Sequence, residues 1–298
     1  MNILVTGSDG QVGHELLKSL APLGNVIGLT RADGDLSDVL VVEALLDKYD
    51  PHVVINPAAY TAVDPAESES ELAFTLNARM PESLARWTRA HDRFLVHFST
   101  DYVYPGHGVS PQTEDEPTSP ASVYGQSKLA GDEAILREDP SALIFRTSWV
   151  YGARGRNFML TMLRLAAEKS KLTVVSDQFG APTPAWLIAQ VTSIALQSRL
   201  AGNTELNGVL HLSCRGETSW CGFAREIIHQ ARQKGHRLTM KDDQVLPIPT
   251  SEYPAPAPRP ANSRLAVDRI ELLLGITLPD WKRALSITLA DLQGRRGT

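Results

Sequence analysis

The 298-residue sequence predicts a doubly wound α/β fold, in which helices cover both faces of a parallel sheet. Short apolar segments alternate with longer helical segments through the first half of the chain, and a glycine-rich loop directly follows the first apolar segment. Apolar residues make up 43% of the chain and charged residues 21%. This composition is average for globular proteins, so it argues against a disordered, collagen-like or coiled-coil chain.

The predicted strands are short, rich in Val, Ile, Leu and Phe, and bounded by Gly, Pro or Asp. They are Asn2–Thr6, Val26–Thr30, His52–Asn56, Phe94–Thr100 and Ala142–Val150. The helices predicted between them are Gln11–Leu20, Val39–Tyr49, Glu69–Ala90 and Val123–Arg137. Each helix is long enough to cross the sheet and return the chain parallel to the preceding strand.

After about Tyr151 the alternation loosens, and we expect residues 1–150 to form a first domain and residues 151–298 mainly a smaller lobe, with some elements returning to the first sheet. The elements predicted there are helices Phe158–Lys169 and Phe223–Lys234 and strands Leu172–Ser176 and Val209–Ser213. The proline-rich segment Pro247–Pro260 favours extended backbone. It is either a surface linker or a lid over a binding cleft, ending near Arg259.

Charge and residue patterns exclude several classes of protein. The net charge of −5 has the wrong sign for a nucleic-acid or anionic-membrane binder, and no apolar run approaches the roughly 18 residues of a membrane span. We therefore expect a cytoplasmic protein with no nucleic-acid or membrane partner. Cys214 and Cys221 fit neither a disulfide framework nor a Cys-x-x-Cys motif. The eight histidines lack the spacing of a zinc site.

The loop after the first strand has the pattern Gly-x-x-Gly-x-x-Gly and opens a helix. Glycines allow a tight turn and a close approach to a pyrophosphate, whose charge is stabilised at the helix N-terminus. The position of the loop therefore predicts dinucleotide binding, with a purely structural turn as the alternative. The residues predicted to contact the dinucleotide here are Gly7, Gly10, Gln11, Val12 and Gly13.

The end of the second strand lacks an acidic residue to bind a free ribose 2′-hydroxyl. Arg31 suits a 2′-phosphate instead, which favours NADPH over NADH; a solvated surface arginine is the alternative. Asp35, followed by Leu36, is placed to meet the adenine, or else Asp35 caps the next helix. After the third strand, a turn with small residues would lie against the cofactor, or would be only a tight turn. Its residues are Ala58, Ala59, Tyr60 and Thr61.

Tyr124 and Lys128 are four residues apart at the start of a predicted helix, so they share one face of it. A phenol has a pKa near 10, and a neighbouring ammonium lowers it by stabilising the phenolate. Thr100 lies at the carboxyl end of a predicted parallel strand, where doubly wound folds bind ligands. We expect its hydroxyl to donate to a substrate carbonyl. The three residues together predict a carbonyl reductase with a tuned tyrosine acid.

The chain resembles the extended short-chain dehydrogenase/reductase superfamily and, within it, the dTDP-4-dehydrorhamnose reductase family. The resemblance covers almost the whole chain. The segments that carry it are Gly7–Gly13, Gly34–Leu36, Asn56–Asp64, Ser99–Tyr102, Tyr124–Gly131, Arg146–Tyr151, Asp177–Thr183 and Arg259–Ser263. Dehydratases of this superfamily have Glu where this sequence has Tyr102, which argues against dehydration.

This resemblance implies a Rossmann domain, a substrate-binding lobe and NADPH as cofactor, with NADH possible. The reaction it implies is hydride delivery to C4 of dTDP-4-dehydro-β-L-rhamnose, with Tyr124 protonating the C4 oxygen and Lys128 also holding the nicotinamide ribose. Asp101 and Trp149 match positions that contact the sugar nucleotide, and Arg259 would meet its diphosphate. Core packing is the alternative for Trp149, and surface solubility is the alternative for Arg259.

The sequence departs from the family pattern in two places. Pro57 replaces the alanine expected after Asn56 and removes an amide donor from a cofactor-contacting turn. Some relatives dimerise through magnesium held by carboxylates. Glu15 and Asp291 match two of these positions, but Trp186 stands at the third, so the magnesium stays unassigned and a homodimer is only possible.

Three other functions remain open at this point. A reductase of another nucleotide-linked 4-keto-6-deoxysugar would use the same chemistry. A non-catalytic regulatory subunit would bind the cofactor without turnover, although Thr100, Tyr124 and Lys128 argue against it. An epimerase would use the same three residues but would have to retain its cofactor through turnover.

Overall fold

The computed structural model describes residues 1–294. Its strands are β1 Asn2–Val5, β2 Asn25–Gly28, β3 Val53–Asn56, β4 Phe94–Thr100, β5 Leu143–Thr147, β6 Val150–Tyr151, β7 Leu172–Val175, β8 Phe179–Gly180, β9 Thr183–Pro184, β10 Gly208–His211, β11 Thr218–Ser219, β12 Val245–Ile248 and β13 Asn262–Ser263. Its helices are α1 Gln11–Leu20, α2 Val39–Tyr49, α3 Val63–Ala66, α4 Ser70–Phe74, α5 Met80–Ala90, α6 Val123–Glu138, α7 Phe158–Glu168, α8 Ala185–Leu200, α9 Trp220–Gln233, α10 Asp268–Leu274 and α11 Trp281–Gly294. None of the helices within this range combines the length and apolar character that a membrane crossing needs.

The main sheet within residues 1–294 has six strands in the order β2-β1-β3-β4-β5-β10, and every neighbouring pair is parallel. This arrangement confirms the predicted doubly wound fold. The strand order reverses at β1, because β2 lies on one side of it and β3 on the other. Ligands of such folds bind outside the carboxyl ends of the strands at this reversal. The glycine loop and the turn after β3 both begin there.

Both faces of the sheet are buried, as the continuous apolar strands require. Ile3 and Val5 of β1 pack into one hydrophobic cluster with α1 and α8, whereas Leu4 packs into a second cluster with α2 and α5. The other central strands alternate in the same way because successive side chains of a strand point to opposite faces. The strands are therefore held from both sides, and their carboxyl ends form a rigid edge.

The second half of the chain shares its core with the first. The hydrophobic cluster on the α1 face continues without a break through α7, α8, α9 and α11. β10 extends the main sheet beside β5, and three small sheets in the described part of the chain lie outside it: β6 with β9, β7 with β12, and β8 between β11 and β13. The division of the chain at residue 150 stays a prediction.

Two predicted elements are wrong in their extent. The strand expected over 142–150 ends at Thr147, because Trp149 has a φ of 48° and cannot continue an extended strand. The helix expected over 69–90 contains a π-helical turn at Thr75–Arg79 between α4 and α5. Both irregularities lie near residues predicted to form the site, where such features often occur.

Other elements escaped prediction or begin elsewhere. α9 begins at Trp220 rather than at Phe223, because the Ser219 hydroxyl accepts from the Gly222 amide at 3.1 Å and caps the helix. α8, α10 and α11 were not predicted. α8 is buried on most of its surface, so its sequence has no polar face to give a helical period. Strand β12 enters the proline-rich segment at Pro247.

A buried polar network ties β5 and β10 to α6. Arg146 donates from Nε to Asp132 Oδ2 at 3.0 Å and from Nη1 to the Tyr104 hydroxyl at 2.8 Å. The Tyr104 hydroxyl lies 2.6 Å from His211 Nε2, and His211 Nδ1 lies 3.1 Å from the carbonyl of Ala266. A carbonyl only accepts, so Nδ1 carries the hydrogen and Nε2 accepts from the tyrosine. Burial, followed by the charge of Arg146, lowers the pKa of His211 to about 3.

This pKa predicts a loss of stability in acid. The folded pKa of His211 lies below the unfolded value of about 6.5, so its contribution is complete above that value and falls as the pH drops towards 3. Urea unfolding at about pH 7.5 and pH 5 should show a loss of about 2 kcal/mol attributable to this histidine. His211→Gln, which does not titrate, should be less acid-sensitive by that amount. Equal acid sensitivity of the two proteins would contradict the assignment.

Candidate active site

The glycine loop between β1 and α1 has the geometry of an anion cradle. Gly7 has a φ of 52°, which favours glycine, and a Cβ at position 13 would lie 2.2 Å from the Gly7 carbonyl oxygen. Gly10 precedes α1 without a side-chain cap, and the first turn of α1 has no acidic residue. The amide groups of this helix end suit the pyrophosphate of a dinucleotide, so the loop fits the predicted cofactor.

Gln11 connects this loop to the second half of the chain. Its Oε1 accepts from Asn157 Nδ2 at 2.8 Å, and Asn157 in turn caps α7 by accepting from the Leu160 amide at 3.0 Å. Val12 packs against the main core cluster, and Gly13 is buried. The loop is therefore anchored by the packing of Val12 on the core and by the hydrogen bond of Gln11 with Asn157. Direct contact of these residues with the cofactor stays a prediction.

The segment after β2 presents one cation and several ordered carboxylates. Arg31 is exposed, as a residue that binds a terminal 2′-phosphate would be. Asp33 Oδ2 accepts from the amide of Thr30 at 2.8 Å and from its hydroxyl at 2.9 Å, which folds the segment into a compact turn. Arg31 thus lies at the rim of the turn that follows the strand.

The alternative role of Asp35 as a helix cap is wrong. Asp38 caps α2 by accepting from the Leu40 amide at 2.9 Å. Asp35 Oδ1 instead accepts from the amide of Ser37 at 2.9 Å and from its hydroxyl at 2.8 Å. The side chain of Asp35 is exposed, and Leu36 is half-buried against the second core cluster. The contact of Asp35 with the adenine stays a prediction.

The turn after β3 lies directly against the glycine loop. The Cα atom of Ala58 would be 3.1 Å from a Cβ placed on Gly7. Asn77, in the π-helical turn, accepts from the Tyr60 amide at 2.8 Å and donates to the Tyr60 carbonyl at 3.0 Å and to Ser127 Oγ at 3.0 Å. One buried amide thus holds the turn against α6. Ala59 is half-buried and Thr61 exposed.

Lys128 is buried beside β4, with an exposure of 1%. Ser122 caps α6 by accepting from the Gly125 amide at 3.2 Å, which sets the first turn of the helix. The Lys128 ammonium donates to the Phe98 carbonyl at 2.6 Å and lies 3.0 Å from His97 Nε2. Burial lowers the pKa of Lys128 to about 8. Its charge is therefore held by the strand, next to the edge where ligands bind.

The expectation that Lys128 lowers the pKa of the Tyr124 phenol is wrong in this geometry. Burial raises the pKa of Tyr124 above its ordinary value, a hydrogen bond with the Thr100 side chain opposes this effect, and the charge of Asp101 adds to it. The Lys128 ammonium is directed to its two partners on β4 instead. Tyr124 thus stays protonated at neutral pH, the state that a proton donor needs.

Thr100 and Asp101 adjoin Tyr124 at the end of β4. The Thr100 hydroxyl donates to Asp101 Oδ1 at 3.1 Å and accepts from the Tyr102 amide at 3.2 Å. Burial raises the pKa of Asp101 to about 6, although the hydroxyls of Ser263 and Thr100 oppose the shift. The Tyr102 ring meets the Tyr124 ring edge to face, with centroids 5.5 Å apart. Hydroxyl, carboxyl and phenol groups therefore converge at one point.

Trp149 stacks on Trp220 at the start of α9. The ring centroids are 3.6 Å apart and the planes differ by 11°. Phe158 of α7 packs on Trp220 at 4.7 Å, and a Cβ on Gly180 would come within 2.8 Å of the Trp149 ring. Trp149 is half-buried and lies outside the core clusters, which disfavours simple core packing. The pair forms an aromatic wall.

Arg259 closes the proline-rich segment onto the first half of the chain. Its Nη2 donates to Asp64 Oδ2 at 2.7 Å and its Nη1 to the Tyr102 hydroxyl at 3.3 Å. Asp64 also accepts from the Ala257 amide at 3.2 Å. These bonds favour the lid over the surface linker. A cavity of about 220 Å³ lies beside Arg259, lined in part by Tyr102, Tyr104, Ser122 and Pro258.

Two of the three residues considered for magnesium, Glu15 and Trp186, have other partners. Glu15 pairs with Lys18 at 3.0 Å, and Trp186 Nε1 donates to Thr288 Oγ1 at 2.9 Å. Asp291 is exposed on α11. Across residues 1–294, the structure brings together no group of three or more His, Cys, Asp or Glu side chains that could hold a metal. The magnesium stays unassigned.

Three residues at or behind the site were not singled out from the sequence: His97, Asn77 and Trp220. His97 has a recognisable signal, because it interrupts the apolar strand β4 with a polar side chain that is fully buried. Asn77 has none, since only the π-helical turn directs it to Tyr60. Trp220 becomes visible once Ser219 is recognised as a helix cap.

The chain is similar to known proteins over nearly its whole length. Residues 1–293 match the family model described as RmlD substrate binding domain. The dTDP-4-dehydrorhamnose reductase of Burkholderia thailandensis is 44% identical over 98% of this chain and 99% of its own length.

Two solved structures are also similar. A dTDP-4-dehydrorhamnose reductase from Clostridium acetobutylicum has a TM-score of 0.88 and 36% identity, and the match covers 98% of this chain and 100% of that chain. The enzyme of the same name from Bacillus anthracis, in complex with NADP, has a TM-score of 0.87 and 31% identity over 97% of this chain and 99% of that one. The chain therefore belongs to the RmlD substrate binding domain family, as a relative of the dTDP-4-dehydrorhamnose reductases.

Proposed function

We propose that the protein reduces the C4 ketone of dTDP-4-dehydro-β-L-rhamnose to dTDP-L-rhamnose with NADPH. The observation that carries this proposal is the hydrogen bond between Tyr124 and Thr100 at the carboxyl end of β4, with the Lys128 ammonium buried against Phe98 of the same strand. A glycine loop that fits a dinucleotide lies at the same edge of the sheet. Its support from outside the site is the 44% identity to a curated reductase of that substrate over nearly the full length of both chains.

The cofactor would be held by the carboxyl edge of the sheet. The loop from Gly7 to Gly13 would bind the pyrophosphate, Arg31 the 2′-phosphate, and Asp35 with Leu36 the adenine. The turn with Ala58, Ala59, Tyr60 and Thr61 would lie along the cofactor, and Lys128 would donate to the nicotinamide ribose. NADPH supplies the hydride when it is bound; NADH would lack the contact with Arg31.

Residues of the protein would supply the proton that the C4 oxygen takes up. Tyr124 donates its phenolic hydrogen to the C4 oxygen as the ketone becomes an alcohol, and its raised pKa keeps that hydrogen in place beforehand. Thr100 orients the carbonyl through its hydroxyl. Because that hydroxyl donates to Asp101 in the structure, the substrate oxygen must take over this hydrogen bond.

The substrate would lie between the two halves of the chain. The aromatic wall of Trp149 and Trp220 offers a flat apolar face to a deoxysugar, and Asp101 lies beside Thr100 to meet a sugar hydroxyl. Arg259 would exchange Asp64 for the diphosphate, whose geometry a guanidinium matches. A homodimer and a cytoplasmic location stay predictions.

Replacing the proposed acid tests the reaction directly. With enzymatically prepared dTDP-4-dehydrorhamnose, the wild type should oxidise NADPH and form dTDP-L-rhamnose. Tyr124→Phe should lower kcat by about 10²- to 10⁴-fold, because it removes the proton donor but keeps the ring. The measurement is the loss of NADPH absorbance together with identification of the product.

The outcomes of that assay separate the alternatives. Turnover only with another nucleotide-linked 4-keto-6-deoxysugar would replace the rhamnose assignment with that substrate. Cofactor binding without turnover on any such ketone would favour a regulatory subunit. Tyr124→Phe with wild-type kcat would remove the tyrosine from the mechanism.

Arg31 should set the preference for NADPH. Arg31→Ala removes the cation that pairs with the 2′-phosphate, so kcat/KM for NADPH should fall about tenfold while that for NADH changes less than about twofold. Steady-state kinetics with both cofactors measures this. The matched control is Arg237→Ala, which removes an exposed arginine elsewhere and should alter neither value. Equal losses with both cofactors would contradict a specific phosphate contact.

A further inference from the structure

Four buried side chains form a continuous series of hydrogen bonds that runs from α6 across β4 and β3 to Thr6, the residue directly after β1. Lys128 Nζ lies 3.0 Å from His97 Nε2, His97 Nδ1 lies 3.0 Å from Asn56 Nδ2, and Asn56 Oδ1 lies 2.5 Å from Thr6 Oγ1. The exposure of each residue is 1% or less. The reaction proposed above uses only Lys128 of these four, so the other three need a separate explanation.

The number of hydrogens on the Lys128 nitrogen determines which group donates and which accepts in each hydrogen bond from Lys128 to Thr6. An ammonium has three hydrogens and no lone pair, and the Phe98 carbonyl takes one of them. If His97 Nε2 takes the second, one hydrogen remains for a ligand at the sheet edge. Nε2 must then accept, so the hydrogen of the neutral ring is on Nδ1. That nitrogen needs the oxygen of the Asn56 amide as its acceptor.

The amide orientation in the structure corresponds to the opposite direction. The nitrogen of Asn56 faces His97 and its oxygen faces Thr6. A ring that accepts from Asn56 at Nδ1 carries its hydrogen on Nε2 and donates it towards Lys128. Only a neutral lysine amine has the lone pair to accept it. Each protonation state of Lys128 thus fits one tautomer of His97 and one orientation of the Asn56 amide.

We propose that His97 is a positioning residue for Lys128, and that the chain from Lys128 to Thr6 reverses its hydrogen-bond direction when Lys128 loses its proton. The catalytic part of this proposal rests on the function proposed above, whereas the reversal does not. His97 keeps the ammonium beside β4 and leaves one of its hydrogens for the ligand.

The surroundings of these four residues indicate that their hydrogen bonds hold Lys128 in position and do not conduct protons to solvent. The series ends at Thr6, which is buried and accepts from the Ala58 amide at 3.3 Å, in the turn predicted to contact the cofactor. His97 stays neutral, because burial and the charge of Lys128 lower its pKa well below 6.5. The other charged group that acts on Lys128 is Asp132 of α6, which is paired with Arg146 of β5.

Nitrogen-15 NMR of the imidazole of His97 in the wild-type protein tests the reversal without any variant. The ring should be neutral from about pH 6 upwards, with Nδ1 protonated at neutral pH and Nε2 protonated once Lys128 has titrated, near pH 8. His97→Gln assigns the signal by its disappearance. One tautomer throughout the titration, or a doubly protonated ring at neutral pH, overturns the proposal.

Two variants of His97 test the positioning role. Gln offers an acceptor to Lys128 and a donor to Asn56, whereas Leu offers neither. We expect His97→Leu to lower kcat for ketone reduction at least about tenfold and to move the alkaline limb of kcat/KM to lower pH by about one unit, because the ammonium loses an acceptor. His97→Gln should stay within about threefold of the wild type, with the limb unmoved.

Thermal unfolding of both variants shows whether they fold. If both variants fold and lose the same factor in kcat, the positioning role is overturned. It is also overturned if kcat/KM of His97→Leu depends on pH as it does in the wild type. If the wild type reduces no ketone, the proposed function fails, but the NMR titration still decides the reversal.

Discussion

The ammonium of Lys128, buried where the sheet meets α6, is the constraint on which the site depends. A pKa of about 8 in place of 10.5 means that holding the charge at neutral pH costs about 3 kcal/mol of folding stability. Asp132 opposes this cost, and Arg146 compensates Asp132 in turn. A fold retains such a residue where its charge is useful, and here the charge lies next to the edge that binds ligands.

Burial gives the lysine and the tyrosine different roles: Lys128 holds a charge beside β4, and Tyr124 holds a proton. The ammonium is directed to β4, while burial raises the pKa of the phenol, so Tyr124 keeps its proton until a substrate oxygen arrives. Thr100 and Asp101 complete the convergence from the end of β4. The second half of the chain contributes the stacked Trp149 and Trp220 and Arg259 to the same site.

The sequence predicted what depends on local pattern. Alternating apolar segments predicted the sheet and its crossovers, and the spacing of Tyr124 and Lys128 placed them on one helix face. It did not predict features that depend on contacts distant in the chain. The positive φ of Trp149 ends β5 early, and the π-helical turn directs Asn77 to Tyr60. Some elements of the second half were expected to return to the first sheet, but it was not expected that β10 is the strand that pairs with β5. The predicted direction of the shift in the pKa of Tyr124 was wrong because the spacing of two residues on a helix does not show how deeply the phenol is buried.

The most direct test of this account is the pKa of Lys128 itself. Carbon-13 NMR of the lysine ε-methylene groups, with Lys128→Met to assign the signal, measures it in the intact protein. Burial of the ammonium predicts a midpoint near 8. A midpoint near the ordinary value of about 10.4 would mean that the ammonium is solvated, and would contradict the claim that its burial organises the site.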